Sequence, residues 1–197
     1  VSAGTLNVSG SLNTAGTAAV GGGTLDLQAN SQQFAGVQVT GGTLQNGTVT
    51  LNTGNYDLQA GTVSVVLAGS AGIAKSGTGS VTLSGTNTYS GSTSITAGTL
   101  VATNASALGS TAAGTTISSG ATLNVNGVTL AAEPVTVNGT GVGGNGALTG
   151  TGTAGLGGNI TLGSASTIAA AGAGDALSMS GTIDGAAALT LSGAGTI

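Results

Sequence analysis

The chain has 197 residues, 40 of them glycine, and its charges are Lys75 against Asp26, Asp57, Glu133, Asp175 and Asp184, for a net charge of −4. Without His or Cys there is no disulfide, no usual zinc, copper or haem ligand set, and no thiol or imidazole for nucleophilic catalysis, so no cofactor and no metal are expected. One cation cannot hold a phosphate backbone, which excludes nucleic acid as a partner.

The glycine content warns of disorder, but the mean hydropathy of +0.42 and the small net charge argue against it. The densest apolar run, Val63 to Ala68, is far short of a membrane helix. No initiator Met or basic leader precedes Val1, so the chain reads as an excerpt from a longer protein. Lack of Cys suits a protein that crosses membranes unfolded.

From the start of the chain, a Gly-Thr/Ser-Leu/Val triplet recurs at Gly4, Gly23, Gly42, Gly61, Gly79 and Gly98. Counting between these glycines gives steps of 19, with one step of 18 between Gly61 and Gly79. Two residues after each glycine stand Leu6, Leu25, Leu44, Val63, Val81 and Leu100, and polar columns flank them. This alternation of period two predicts a short strand in each repeat, one face in and one out. A second strand is expected at Val20, Val39, Leu58 and Ile95, sixteen residues after their glycines. Asn46 interrupts an inward column and is expected to be a hydrogen-bonded interior or corner residue.

One such coil cannot bury its own apolar face, so coils must stack and share an interior. The predicted fold class is therefore all-β, a parallel β-helix (β-solenoid) of about 19 residues per rung. The core is expected at Leu6, Leu25, Leu44, Val63, Val81 and Leu100, and the corners at the six glycines. About ten rungs at roughly 4.8 Å each would make a rod near 50 Å long. Residues 1–197 are read as a single β-helix segment of a longer rod, regular over 1–102 and with longer, irregular rungs over 103–197. Residues 102–113 are expected to form a loop rather than a helix. Later strands are predicted at Thr122–Val125, Pro134–Val137, Asn159–Leu162, Ala176–Met179 and Leu189–Leu191, with glycine-rich bends at 139–146 and 150–158. Pro134 is placed at a strand start, where its missing N–H is tolerated. Gly77-Thr78-Gly79-Ser80-Val81 returns as Gly193-Ala194-Gly195-Thr196-Ile197, as if another long unit began there.

The run from Lys75-Ser76-Gly77-Thr78-Gly79 through Leu83-Ser84-Gly85-Thr86-Asn87-Thr88-Tyr89-Ser90-Gly91 to Leu100 resembles the autotransporter-associated β-strand repeat of Gram-negative surface proteins. The match covers about thirty residues, Ile73 to Ala102. The resemblance implies a right-handed parallel β-helix exported through the outer membrane by a C-terminal translocator barrel in the same full-length chain. It also implies display at the cell surface, tethered to the outer membrane, and a role in adhesion or virulence. Such a family fixes no catalytic residues. Leu191 stands where the first copy has Lys75.

The remaining motifs read as structural. Gly141-Val142-Gly143-Gly144-Asn145-Gly146 fits a dinucleotide fingerprint, but no amphipathic helix follows it. The Asp175 turn resembles a calcium-binding nonapeptide without the tandem copies such sites need. Asp26 and Asp57 fall in different columns, so a carboxylate pair for polysaccharide chemistry is not expected. Lys75 counts into a column with Ala18, Val37, Tyr56 and Thr93 and is expected to snorkel along the apolar flank. Tyr56, Tyr89 and Phe34 are expected to pack. The sequence thus predicts no enzyme but a stalk that holds a distal region away from the cell. The alternatives are a rod surface that binds host or neighbouring-cell ligands, a β-helix enzyme acting on polysaccharide, and a threonine face that binds ice.

Overall fold

Alternating Thr with Leu or Val leaves little choice but short half-buried strands, and glycine at each repeat boundary turns the chain before a helix can start. A computed structural model describes residues 1–12 and 15–197. Among them there is no α-helix, only strands, most of them short, and a single 3-10 turn at Val142–Gly144. The strands stack in parallel into a solenoid of about nine turns with roughly twenty residues per turn. At about 4.8 Å per turn this is a rod roughly 45 Å long.

Each turn visits three faces. Face A holds Thr5–Asn7, Thr24–Asp26, Thr43–Gln45, Gly61–Val63, Ser80–Leu83, Gly98–Ala102, Ala121–Asn126, Leu148–Thr151, the end of Ile160–Ala170, and Leu189–Ser192. Face B follows with Ser31–Gln33, Thr48–Thr50 and Val66–Ala68, and again with Thr129–Leu130, Thr153–Leu156 and Ala176–Met179. Face C closes the turn, from Thr17–Val20 and Gly36–Val39 through Gly72–Lys75 to Ile183–Asp184.

On face A, Thr5 pairs with Thr24, Thr24 with Thr43 and Thr43 with Thr62, so the step is 19 residues three times over. The next step is not the 18 that the glycines suggest. Thr62 pairs with Thr82 and Val63 with Leu83, while Val81 lies over Gly61. The register has moved by two residues relative to the triplet, which keeps the same side chains facing inward because the strand period is two. Farther along, Thr99 pairs with Thr122, Asn124 with Thr149 and Thr167 with Thr190, so later turns are longer.

The interior is lined mainly by aliphatic side chains. Leu25, Leu44, Val63, Leu83 and Leu100 are buried on face A, and Val39, Leu58, Ile95, Ile117 and Val137 on face C. Each buried Leu or Val contributes roughly 1.5–3 kcal/mol relative to exposure. Leu6 pairs with Leu25 but is 47% exposed.

The corner glycines act in two ways. Gly42 has φ of 69°, and a Cβ there would strike the Gly23 carbonyl of the rung below. Gly23 keeps an ordinary φ but lies so close to the previous corner that a Cβ would meet the Gly4 carbonyl at 2.6 Å.

Residues 102–113 contain no helix, and Pro134 immediately precedes the strand Val135–Gly139. The bend expected over 150–158 is instead mostly strand, Leu148–Thr151 and Thr153–Leu156. Gly150 marks a close approach, since a Cβ there would lie 2.7 Å from Leu177 Cβ. The apparent second unit at Gly193 is out of phase. Lys75 lies on face C and leads into face A, whereas Leu191 is itself on face A, paired with Ile168.

Candidate functional site

The residues with the most distinctive chemistry cluster where the sequence resembles a known repeat, and they work inward. Lys75 occupies the inward column of face C, between Leu58 and Ile95, and is fully buried. Counting back by 19 had set it beside Tyr56, but the step there is shorter, since Tyr56 pairs with Ile73. The side chain does not snorkel. Its Nζ donates to the carbonyls of Ser76, Gly77 and Ala97, each at 2.8 Å. An ammonium has three protons, and all three are used. Burial draws its pKa below the usual lysine value, while the carbonyls, by bonding the charged form, favour the ammonium.

Those carbonyls come from an enlarged corner. Leu58 and Val63, five residues apart, stack on Lys75 and Leu83, eight apart. The additional residues leave carbonyls facing inward, and Lys75 satisfies two of them together with one from the corner of the next turn. It is a clamp across two rungs at the place where the register changes.

On face B the ladder lapses after Val66–Ala68, and an amide takes over. Leu67 N–H donates to Asn87 Oδ1 at 2.9 Å, and Asn87 Nδ2 donates to the Ala107 carbonyl at 2.7 Å. The buried Asn87 thus links the turn below to the turn above. Near the start of the chain Gln32 uses both ends of its amide on the turn before it. Leu12 N–H donates to its Oε1 at 2.9 Å, and its Nε2 donates to the Gly10 carbonyl at 2.7 Å.

Tyr56 and Tyr89 are fully buried, with ring centroids 6.4 Å apart and planes tilted by 59°. Tyr56 reaches across the interior from face C to face B. Its hydroxyl lies 2.8 Å from the Val49 carbonyl and 2.6 Å from that of Ala68, and it accepts from Leu51 N–H at 3.0 Å. Burial raises its pKa to about 12. Tyr89 bonds Thr93 Oγ1 at 2.6 Å, and burial raises its pKa as well. Phe34 is buried too.

The carboxylates are spread around the rod. Asp26, on face A, accepts from Gln45 Nε2, Gln28 N–H and Asn46 Nδ2. These bonds, that of Gln45 foremost, hold its pKa below the usual range. Asn46 is a corner residue with φ of 55° rather than an interior one. Asp57, on face C, is pushed up by partial burial, but bonds from Gln38, Gln59 and Ser76 outweigh that and hold it low. Asp175 spends both oxygens on backbone N–H groups, those of Gly152 and Gly172, each at 2.8 Å, which also keeps its pKa low. Asp184 accepts from Gly185 N–H. Glu133 alone faces the interior, where burial raises its pKa to about 7. Among the described residues no group of three or more acidic side chains could hold a metal ion.

Of the expected core residues, Leu25, Leu44, Val63, Val81 and Leu100 are buried and Leu6 is exposed. The expected corner glycines Gly4, Gly42, Gly61 and Gly98 have positive φ, whereas Gly23 and Gly79 do not. Sequence reasoning missed Gln32, Asn87, Thr115 and Glu133. Asn87 was within reach, because it stands in the repeat-like run in the same turn as Tyr89.

A family model described as passenger-associated-transport-repeat matches residues 18–45 and 73–102. The second segment contains Lys75, Asn87 and Tyr89, and the first contains Gln32 and Phe34. The recurrence at Gly193 lies outside both. The chain is similar to the adhesin BmaC autotransporter of Brucella suis biovar 1 (strain 1330), 33% identical over 136 residues, covering 66% of this chain and 4% of that protein. No solved structure matches. With its stacked parallel coils and two matched repeats, the chain belongs to the autotransporter passengers that carry passenger-associated-transport repeats.

Proposed function

We propose that this segment is a stalk. It holds a distal part of the same passenger away from a bacterial cell to which the whole protein is tethered at the outer membrane through a C-terminal translocator barrel. It performs no catalysis. The observation that carries the reading is the face A ladder, which continues from Thr5–Asn7 to Leu189–Ser192 with a buried aliphatic file beneath it. A structure whose turns touch only their neighbours transmits load along one axis. Negative-stain images of the 197-residue chain should show straight particles about 45 Å long. Globular or coiled particles would defeat the stalk.

A second reading is favoured by the name of the Brucella protein, an adhesin: the rod's own flank binds host or neighbouring-cell ligands. A glycan and matrix-protein array probed with this chain separates the two. Binding by the chain alone supports adhesion along the rod, and inertness supports a spacer.

A further inference from the structure

The interior near the corner between faces B and C contains a short polar stretch in an otherwise apolar column. That column runs Val37, Tyr56, Ile73, Thr93, Thr115, Val135 and Ile160. Thr93 and Thr115 are direct partners in adjacent turns. Thr93 Oγ1 bonds the Tyr89 hydroxyl, and Thr115 Oγ1 donates to Glu133 Oε1 at 2.7 Å. Glu133 is 3% exposed. One hydroxyl is thin support for a carboxylate out of water, since an ionised group there needs a cation or several donors.

No cation is at hand. The titratable group that faces Glu133 is the Tyr89 phenol, with Tyr56 behind it, and neither is positive. The strands Thr115–Ile117 and Val135–Gly139 and the next corner at 157–159 present Thr115 and backbone. No charged residue occurs between 76 and 132 or between 134 and 174. Lys75 is committed to its own corner, between faces C and A. The peptide carrying Glu133 is also a weak point. Ala131 and Ala132 are exposed and lie outside any strand, and Ala132 has φ of 54°, a conformation costing a non-glycine residue about 1 kcal/mol or more.

We propose that Glu133 is a pH switch built into the rod. With its carboxyl protonated, the corner at 131–134 closes over it and the turns on either side stay joined. When the proton is lost to solvent, the carboxylate draws that corner open. Acid conditions therefore harden the rod here and neutral conditions loosen it. The direction follows from linkage. The folded protein holds this proton more tightly than the unfolded chain, so stability is full below about pH 4.5, declines as pH rises towards about 7, and is level above that.

Glu133 is the chain's one glutamate, so selective 13C-glutamate labelling of the 197-residue chain gives a single carboxyl resonance. That resonance should titrate near pH 7. Amide protection at Thr115–Ile117 and Val135–Gly139, corrected for intrinsic exchange, should fall by on the order of a hundredfold between about pH 5 and pH 8, and should stay constant in Glu133→Gln. A resonance titrating near 4.5 overturns the proposal, as does an equal loss of protection in the variant. If Glu133→Gln does not fold, the native carboxyl titration and the native loss of protection decide between the same two outcomes.

Discussion

A buried ammonium needs as many acceptors as it has protons, and Lys75 finds three carbonyls at 2.8 Å. The four-carbon stem meanwhile takes the place an aliphatic residue holds in the neighbouring turns. Replacing Lys75 with Met keeps the stem and removes the donors, which leaves carbonyls unpaired in a dry corner. The expected loss is about 3 kcal/mol, seen as a lower denaturant midpoint with little change in slope. An unchanged midpoint would mean that water reaches those carbonyls and the clamp is idle. The sequence showed that Lys75 belongs to the repeat, but not that it is buried. A lone lysine is by default a surface residue, and only the enlarged corner, invisible without register, supplies its partners. Glu133 was hidden for the same reason.

Strands were the legible elements, because alternation and threonine content state them directly. The pairing of Thr5, Thr24, Thr43 and Thr62 agrees with a count of 19. Two things were not legible. A corner can absorb extra residues while both strands keep their inward faces, so the glycine at 79 shifted without a change of pattern. Glycines inside the strands near 150 and 155 imitate a loop, although they mark places where side chains of adjacent turns crowd the backbone. Face B shows a further device, an amide side chain standing in for a strand. Asn87→Leu removes the acceptor for Leu67 N–H and the donor for the Ala107 carbonyl, both buried. A loss of about 2–3 kcal/mol is expected, with amide exchange at Leu67 accelerated before exchange on face A. Uniform acceleration across the rod would show that Asn87 is not a local stitch.

At the scale of the molecule, each turn has little cohesion of its own and gains it from the turns above and below. Charges are few and, apart from Lys75 and Glu133, point outward into amide and hydroxyl partners, so the rod's interior is governed by packing and by a few buried hydrogen bonds. A stalk built in this way is as strong as its register is unique, and the register is best tested where sequence counting and structure disagree. The chain has no native cysteine, so pairs can be introduced cleanly. Cysteines at Thr62 and Thr82, direct partners on the outer surface of face A, should oxidise rapidly to an intramolecular disulfide, while cysteines at Thr62 and Ser80 should remain reduced under the same conditions. Preferential bridging of the second pair, or bridging of neither, would contradict the stacked register on which the rod depends.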